Sequence, residues 1–333
     1  PVERAADVTS RPLDWTPEQA RERESSRLTV ETLDLHCAGE PLRLIRSGYP
    51  AVPQAPINER RAWVRENADH IRHMLMYEPR GHRDMYGAVL LPPDRDDADV
   101  AVLFMHNEGY STMCGHGIIG IVKVVLETGM LPMHTPETRV KIDTPAGLVT
   151  AHAQVEDEQV RSVRFQNVPS FVLALDETVA VPGIGEVKYD VAFGGAFYAF
   201  VKAEEVGLGL TQADFRSLIE KGMAIKQAVM KSRPIPHPFE DDLSFLYGTI
   251  FIGPPQDNDA HSRNVCIFAE GEVDRCPTGT GVSARLAIHY ARNEVTLKQP
   301  VIIESIIGTS FSGRILDTAT FGSYPAVIPE VTG

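Results

Sequence analysis

Cysteine is scarce in this chain, and long apolar runs are missing. Its 333 residues include four cysteines, Cys37, Cys114, Cys266 and Cys276. They contain no Cys-x-x-Cys pair, which argues against a disulfide framework and against a structural zinc site. The apolar stretches are interrupted by Gly, Lys or Pro well before the roughly 20 residues that cross a bilayer. We therefore expect a protein of the reducing cytoplasm, with no membrane span and no metal.

Positive charge is also in deficit. The formal net charge is -13, which argues against nucleic acid or an anionic membrane as a partner. A small anionic substrate stays compatible, because a local pocket can be positive inside an acidic protein. Residues 1–26 carry several Arg and Glu but no apolar core, so they resemble neither a signal peptide nor an anchor. We expect them to form a loosely attached N-terminal arm.

One motif is present twice in altered form, about half a chain apart. The first copy reads Glu-Gly-Tyr-Ser-Thr-Met-Cys-Gly-His-Gly at 108–117, and the second reads Glu-Gly-Glu-Val-Asp-Arg-Cys-Pro-Thr-Gly-Thr-Gly at 270–281. Each copy places small residues at the start of a predicted helix, where free backbone N–H groups and the helix dipole can hold a carboxylate. Two such helix starts that face each other would form a clamp for a small substrate.

The two copies differ where the chemistry is expected. The first carries Cys114 and the second carries Thr278. A thiol at a helix N-terminus can titrate near neutral pH, so Cys114 is the expected general base, whereas an alcohol has too high a pKa for that role. Gly115 permits close approach of the backbone to a ligand. His116 can bind the substrate carboxylate, or donate a proton to a departing hydroxyl group.

The order of predicted elements also repeats. A strand pair, a helix, strands, a buried helix and further strands are predicted in 27–185, and the same order is predicted again in 186–320. The two buried helices are predicted at 117–127 and 281–291, where apolar and small residues leave no polar face. The simplest architecture is an α/β fold of the α+β type, with two similar lobes and a cleft between them. The closing segment, 321–333, is free to return to the first lobe.

A dinucleotide-binding fold is an alternative for the second copy. Gly279-Thr-Gly281-Val-Ser-Ala284 follows a predicted strand, opens a helix and precedes Glu304 by about 25 residues, which is the outline of that fingerprint. Pro277 and Thr278 in the approach turn argue against it, as does the lack of regular parallel βαβ units. The doubled motif is better explained by a two-lobed clamp, and no NAD is expected.

Four separated motifs carry a resemblance to a known family. They are His-Cys-Ala-Gly-Glu-Pro-Leu-Arg at 36–43, Glu-Pro-Arg-Gly-His-Arg-Asp-Met-Tyr-Gly at 78–87, Met-His-Asn-Glu-Gly-Tyr-Ser-Thr-Met-Cys-Gly-His at 105–116 and Asp-Arg-Cys-Pro-Thr-Gly-Thr-Gly at 274–281. In this order, over about residues 28–325, they resemble the proline racemase family, and within it the trans-3-hydroxy-L-proline dehydratases. The resemblance implies two lobes, each a mixed β-sheet rolled around a central helix as in diaminopimelate epimerase, with the active site in the cleft and no cofactor.

The resemblance also implies roles for single residues. Asp274 would accept hydrogen bonds from the substrate ring amine, and Gly279 and Thr280 would offer backbone N–H groups to the carboxylate. Tyr86 and Phe268 align with positions whose aromatic rings pack on the substrate. Ser111 stands where racemases tend to carry an apolar residue, so we expect its hydroxyl to suit an oxygenated ring.

Two departures from the racemase pattern bear on the reaction. Racemases and epimerases of the family have a second Cys where Thr278 stands, so the chain is similar to the dehydratases. Cys276 occupies a position that is commonly Ser, which leaves a displaced second base as an alternative. In trans-3-hydroxy-L-proline the α-hydrogen and the 3-hydroxyl share one ring face, so Cys114 and Thr278 together favour one-sided loss of water.

We therefore expect a cofactor-independent hydro-lyase that converts trans-3-hydroxy-L-proline to 1-pyrroline-2-carboxylate. The closest alternative is a proline racemase or 4-hydroxyproline 2-epimerase that uses Cys276 or bound water as second base. An alternative of another class is a non-catalytic imino-acid binding protein. A homodimer would be an unsurprising assembly for such an enzyme.

Overall fold

A computed structural model describes residues 28–333. The predicted N-terminal arm, 1–26, lies outside the described residues. The first half of the described chain contains eight strands and three helices. The strands are β1 (Glu31–Cys37), β2 (Glu40–Ser47), β3 (Tyr86–Leu91), β4 (Val100–His106), β5 (Tyr110–Ser111), β6 (Glu137–Thr144), β7 (Gly147–Glu156) and β8 (Gln159–Gln166), and the helices are α1 (Ile57–Asn67), α2 (Asp69–Met76) and α3 (Gly115–Glu127).

The second half of the described chain contains nine strands and two α-helices. The strands are β9 (Ser170–Val181), β10 (Gly185–Phe193), β11 (Phe197–Lys202), β12 (Leu246–Gly253), β13 (Ser262–Phe268), β14 (Glu272–Val273), β15 (Val301–Glu304), β16 (Ser310–Phe321) and β17 (Tyr324–Thr332), and the helices are α4 (Phe215–Ser232) and α5 (Gly279–Ala291). All the strands are joined by hydrogen bonds into one mixed sheet.

The strand pairings repeat from the first half to the second. β1 and β2 are antiparallel, β2 and β3 parallel, β3 and β4 antiparallel, and β4 is parallel to β6. β10 and β11 are antiparallel, β11 and β12 parallel, β12 and β13 antiparallel, and β13 is parallel to β15. The predicted duplication into two similar lobes is therefore confirmed. A mixed sheet with these pairings is not the parallel βαβ series that a dinucleotide fingerprint requires.

Each lobe encloses one helix. Every residue of α3 except Lys123 and Glu127 is buried, and α3 packs against β1, β2, β7 and β8. Every residue of α5 from Gly279 to His289 is buried, and α5 packs against β9, β10, β16 and β17. The prediction of two buried helices is confirmed. The packing of each helix against four strands sets the position of its first residues.

The helical segment predicted from Asn58 to Met76 is two helices. Its apolar spacing persists across the break, but Ala68 leaves the helical conformation between α1 and α2, with φ -126° and ψ 8°. Asn67 and Asp69 flank the break, and both residue types compete with helical hydrogen bonds and favour helix ends. Strands β3, β8, β9 and β17 were not predicted.

The packing near the predicted boundaries has two notable features. β9, within the predicted first lobe of 27–185, packs on α5 and pairs with β10. In the closing segment, 321–333, β17 pairs with β16, and its residues Glu330–Thr332 pair with β8.

Within residues 28–333, none of the helices is both long and apolar enough to cross a membrane.

Candidate active site

The starts of the two buried helices face each other. An added Cβ at Gly115 would lie 2.6 Å from the Cα of Gly279, and one at Gly279 would lie 2.9 Å from the Cα of Gly115. Real Cβ atoms do not approach backbone this closely, so both positions need glycine. The two helix starts therefore lie directly against each other, as the predicted clamp requires. The first N–H groups of a helix have no acceptor inside it.

A small cavity lies between these helix starts. It has about 20 Å³ of water-accessible space, which is room for about one water molecule, so a five-membered ring fits only when the walls move apart. The walls of the cavity are formed by thirteen side chains and backbone segments from both lobes, namely Tyr86, Met113, Cys114, Gly115, His116, Tyr198, Tyr247, Cys266, Phe268, Asp274, Thr278, Gly279 and Thr280. Nine of the ten predicted site residues are among them.

Cys114 caps α3 with its sulfur. Its backbone is extended, and the Gly117 N–H donates a hydrogen bond to Sγ at 3.3 Å. Burial raises the pKa of the Cys114 thiol, and the hydrogen bond from the Gly117 N–H acts in the opposite direction. The sequence argument considered the helix N-terminus and expected a lowered pKa; removal from water between the two lobes is the larger effect here.

His116 is the neighbour of the Cys114 sulfur. Its Nδ1 lies 3.2 Å from Sγ, and its Nε2 lies 3.2 Å from the carbonyl oxygen of Pro41. Burial lowers the pKa of His116, which keeps the ring neutral. A carbonyl oxygen only accepts, so the single ring proton sits on Nε2 and Nδ1 is an acceptor. The ring is therefore oriented to take a proton from the thiol.

Thr278 and Asp274 form the opposite wall. The Thr278 hydroxyl donates to Oδ2 of Asp274 at 2.7 Å, and the Cys276 N–H donates to Oδ1 at 3.1 Å. These two bonds fix the orientation of the Asp274 carboxylate at the wall of the cavity. The Cys276 sulfur accepts the Thr278 N–H at 3.4 Å and does not line the cavity.

Aromatic rings close the rest of the cavity. Tyr247 stacks on Phe268 with centroids 5.5 Å apart, and Tyr86 meets Phe268 edge-on at 6.2 Å. On the other side, the Tyr198 hydroxyl lies 2.7 Å from Oγ1 of Thr280, which holds the start of α5. Aromatic walls of this kind suit the apolar edge of a small ring.

Ser111 is the predicted site residue that does not line the cavity. It is buried behind Tyr86, and its Oγ lies 2.5 Å from the Tyr86 hydroxyl oxygen. The Tyr86 hydroxyl also lies 3.4 Å from that of Tyr247. Ser111 therefore reaches the cavity through the Tyr86 hydroxyl.

The motif at 36–43 supports the site from behind. Its Pro41 carbonyl orients His116, and the buried carboxylate of Glu40 accepts the Arg275 N–H at 2.7 Å. The motif at 78–87 acts similarly, because Oδ1 of Asp84 accepts the Val273 N–H at 3.1 Å. Both motifs belong to the first lobe. Their hydrogen bonds hold the 273–275 segment of the second lobe, which carries Asp274.

Three buried side chains lie close enough together to resemble a set of metal ligands. His116, Asp274 and Cys276 each bring one ligand atom within 4.8 Å of the others. The His116 nitrogens already meet Cys114 and Pro41, and the Asp274 oxygens accept bonds from Thr278 and Cys276. Burial raises the pKa of the Cys276 thiol, so the sulfur is held in the protonated form, which is a poor ligand. The hydrogen bonds account for this cluster.

Sequence reasoning missed several residues of the cavity. Met113 directly precedes Cys114, and the other three lie on strands: Tyr198 on β11, Tyr247 on β12 and Cys266 on β13. Cys266 lines the cavity together with Thr278, and burial raises the pKa of the Cys266 thiol. A polar or sulfur-bearing residue in an apolar strand was the available signal, but no local pattern places those strands against the helix starts.

The chain matches a family model described as proline racemase over residues 32–333. A Colwellia psychrerythraea protein named trans-3-hydroxy-L-proline dehydratase is 47% identical, covering 96% of this chain and 89% of that protein. A human protein of the same name is 45% identical, covering 91% and 88%. A Burkholderia multivorans protein named 3-hydroxyproline 2-epimerase is 43% identical, covering 92% and 91%.

Solved structures agree with the architecture. A hydroxyproline epimerase from Agrobacterium vitis, solved with bound trans-4-hydroxy-L-proline, superimposes with a TM-score of 0.87 at 34% identity, covering 91% of this chain and 89% of that one. A Bacillus anthracis phenazine biosynthesis protein of the PhzF family shares the fold, with a TM-score of 0.52 at 12% identity, covering 91% and 94%. The family match over 32–333 and these identities show that the chain belongs to the proline racemase family.

Proposed function

We propose that this enzyme removes water from trans-3-hydroxy-L-proline and yields 1-pyrroline-2-carboxylate. One observation carries the proposal: Cys114 faces the cavity at one helix start, while at the other the Thr278 hydroxyl is engaged with Asp274. Several relatives at 43–47% identity are named for this dehydration.

Substrate binding follows from the clamp. The N–H groups at residues 115, 116, 279 and 280 suit the carboxylate, because two helix N-termini supply partial positive charge without the cost of burying a cation. Asp274 then accepts hydrogen bonds from the ring ammonium. These two contacts fix the ring with one face toward Cys114.

Proton abstraction is the difficult step. Cys114 is held as a thiol by burial, so it needs an acceptor for its proton, and Nδ1 of His116 lies at 3.2 Å. The cationic ring nitrogen of a bound imino acid adds a positive charge that favours the thiolate. As Cα loses its proton to Cys114, the helix N-termini stabilise the charge that develops on the carboxylate.

The elimination of water then needs protein groups on only one face of the substrate ring. The α-hydrogen and the 3-hydroxyl of trans-3-hydroxy-L-proline share a face, so both can meet the Cys114 wall of the cavity. Thr278 has no part in moving the proton and instead positions Asp274. Loss of the hydroxyl gives an enamine, which tautomerises to the cyclic imine without further need of the enzyme. No step in this sequence requires a cofactor.

Product identification in deuterated water tests the proposal. The purified protein is incubated with trans-3-hydroxy-L-proline, and pyrroline formation is followed by its adduct with o-aminobenzaldehyde. We expect stoichiometric pyrroline and no accumulation of the α-inverted imino acid. Inverted, α-deuterated imino acid without pyrroline would contradict the proposal, whereas deuterium exchange alone decides nothing because one base suffices for it.

A second candidate function is epimerisation, and Cys266 is the observation that favours it. Cys266 lines the cavity on β13, a strand of the second lobe, and an epimerase needs a second base from that lobe. Cys276, the displaced base considered from sequence, does not line the cavity. If epimerisation is detected, Cys266→Ser removes it and leaves α-deuterium exchange from the Cys114 face intact.

The remaining expectations concern location and assembly. All four cysteines are free and buried, and free thiols support the proposed cytoplasmic location because oxidising compartments favour disulfides. The proposed homodimer is tested by light scattering after size exclusion, for which we expect about twice the mass of the chain.

A further inference from the structure

Dehydration requires an acid that the clamp itself does not contain. The 3-hydroxyl leaves as water only if it receives a proton, because hydroxide is a poor leaving group. In the proposed substrate this hydroxyl lies on the face toward Cys114. The acid must therefore come from the first-lobe wall of the cavity. The Cys114 thiol forms only as the α-proton is taken, so the candidates for an acid that already holds its proton are His116 and Tyr86.

His116 is poorly placed to act as this acid. Its one proton is on Nε2 and is directed at the Pro41 carbonyl oxygen, 3.2 Å away. Its other nitrogen faces the Cys114 sulfur as an acceptor. A proton that Nδ1 takes from the Cys114 thiol is directed back at that sulfur, 3.2 Å away, and not at the departing hydroxyl.

Tyr86 has the required position and proton. Its side chain lines the cavity on the first-lobe wall and is 3% exposed. Cys114 lines the same cavity, so the acid and the base face one small space. Burial raises the pKa of the Tyr86 phenol, so the proton is in place at working pH.

Two further hydroxyls fix the phenol. Ser111 Oγ lies 2.5 Å from the Tyr86 oxygen, and the Tyr247 hydroxyl lies 3.4 Å from it on the second-lobe wall. Ser111 can accept the phenolic proton or donate its own, so it can stabilise both the phenol and the phenolate. The hydroxyls of Ser111, Tyr86 and Tyr247 therefore form a fixed polar chain at the wall of the cavity where the reacting ring binds.

We infer that Tyr86 is the general acid that protonates the departing 3-hydroxyl, with Ser111 as its positioning residue. The inference rests on the proposed function. It gives Tyr86 a chemical role through its hydroxyl, in place of the ring packing that the family resemblance implies.

The protons balance within the cavity. The Cys114 thiolate takes the α-proton and becomes a thiol, while the electron pair of the broken C–H bond forms the Cα–C3 double bond. The C3–O bond breaks, its electron pair stays on oxygen, and Tyr86 transfers its phenolic proton to that oxygen so that water leaves. The phenolate then recovers a proton from the Cys114 thiol, which regenerates thiolate and phenol for the next cycle.

A change of leaving group tests this role. We would compare wild type and Tyr86→Phe on trans-3-hydroxy-L-proline and on trans-3-fluoro-L-proline, since fluoride departs without accepting a full proton. We expect kcat for the hydroxy substrate to fall by about 100-fold or more, the usual range for a lost general acid. For the fluoro substrate, followed by fluoride release, we expect a fall of less than about fivefold, because removal of the α-proton by Cys114 is retained.

Controls separate the outcomes. Tyr49→Phe removes another phenolic hydroxyl of the first lobe, one that bonds to Tyr110 outside the cavity, and we expect both rates to stay near wild type. Equal losses on both substrates in Tyr86→Phe would show a structural role and overturn the inference, as would no loss on either. Failure of wild type to dehydrate the hydroxy substrate would instead refute the proposed function.

Ser111→Ala sharpens the assignment. Because Ser111 does not line the cavity, we expect its loss to lower kcat for the hydroxy substrate with little change in KM, and to spare the fluoro substrate as Tyr86→Phe does. A rise in KM alone would show that Ser111 acts by binding and not by holding the acid.

Discussion

The starts of α3 and α5 occupy equivalent places in the repeat, yet their first side chains point in different directions. At α3, Cys114 has extended backbone, with φ -144°, and its sulfur caps the helix by accepting the Gly117 N–H. At α5, Thr278 has φ 66° and ψ 91°, and its hydroxyl does not cap the helix but donates to Asp274. Under the proposed function, the first side chain is turned to the cavity to act as the base, and the second holds a carboxylate.

The backbone conformation of Thr278 shows that this difference costs conformational free energy. A β-branched residue at positive φ is a conformational outlier worth roughly 1–3 kcal/mol of strain, and it persists only where the surroundings hold it. Asp274 and the Cys276 sulfur hold it here, through the hydroxyl and the N–H of the same residue. Both halves of the repeat thus bring a helix start to the cavity, and in the proposed mechanism the second one positions the substrate and does not move a proton.

Removing the sulfur at the first helix start has the largest expected effect. In Cys114→Ser the hydroxyl has too high a pKa to act as base, and we expect kcat to fall by roughly a thousandfold or more. Cys37→Ser is the control, since Cys37 is also buried but lies outside the cavity. Pyrroline formation by both variants measures the difference, and comparable activity in the two would show that Cys114 is not the base.

A methyl group between the two helix starts is expected to have the next largest effect. Gly115→Ala places a Cβ 2.6 Å from the Cα of Gly279, so the helix starts must separate. A displacement of about an ångström at a reacting centre costs on the order of 100-fold in rate. Gly109→Ala is the matched control, because its Cβ would meet nothing within 4 Å. Thermal unfolding of both variants, measured alongside kcat/KM, would reveal whether lost activity is only lost folding.

Restoring a thiol at the second helix start breaks the asymmetry directly. Thr278→Cys puts a sulfur opposite Cys114, and we expect α-inversion of L-proline or 4-hydroxy-L-proline to become detectable. Dehydration should fall by about tenfold, because Asp274 loses a strong hydrogen bond. Chiral chromatography of the imino acids measures the gain.

Thr278→Ser is the control for this gain. It keeps the bond to Asp274 without adding a thiol, so we expect no inversion and little loss of dehydration. If the Thr278→Cys variant gained no inversion while still binding the imino acids, the second base of the epimerases would have to require more than a thiol at this position.

Much of the clamp could be predicted from sequence because it is local. Cys114, Gly115 and His116 are adjacent, and Asp274 precedes Thr278 by four residues, so one helix start places each group. The apolar composition of α3 and α5 predicted their burial, since a helix without a polar face has to be enclosed.

The aromatic walls could not be predicted, because long-range pairing places them. Tyr198 and Tyr247 reach the cavity through the parallel pairing of β11 with β12, where Tyr198 is opposite Gly248. Periodicity indicates which face of a strand is buried but not which strand lies beside it. The pKa of Cys114 was mispredicted for a related reason, since its burial depends on contact between the two lobes.

The smallest expected effect is the change in the pH dependence of kcat/KM when Thr278 at the second helix start is replaced. Activity needs the Cys114 thiolate, and burial raises the thiol pKa, so less of the active form is present at neutral pH. We therefore expect kcat/KM to rise with pH through the region above about 8.5, the ordinary thiol value, and alkylation of Cys114 by iodoacetamide to rise along the same curve. Thr278→Ser should leave the midpoint unchanged to within about half a pH unit, because residue 278 takes no part in the ionisation. A larger shift would show that the second helix start helps to set the charge on the sulfur, and a flat profile would exclude the thiolate as the base.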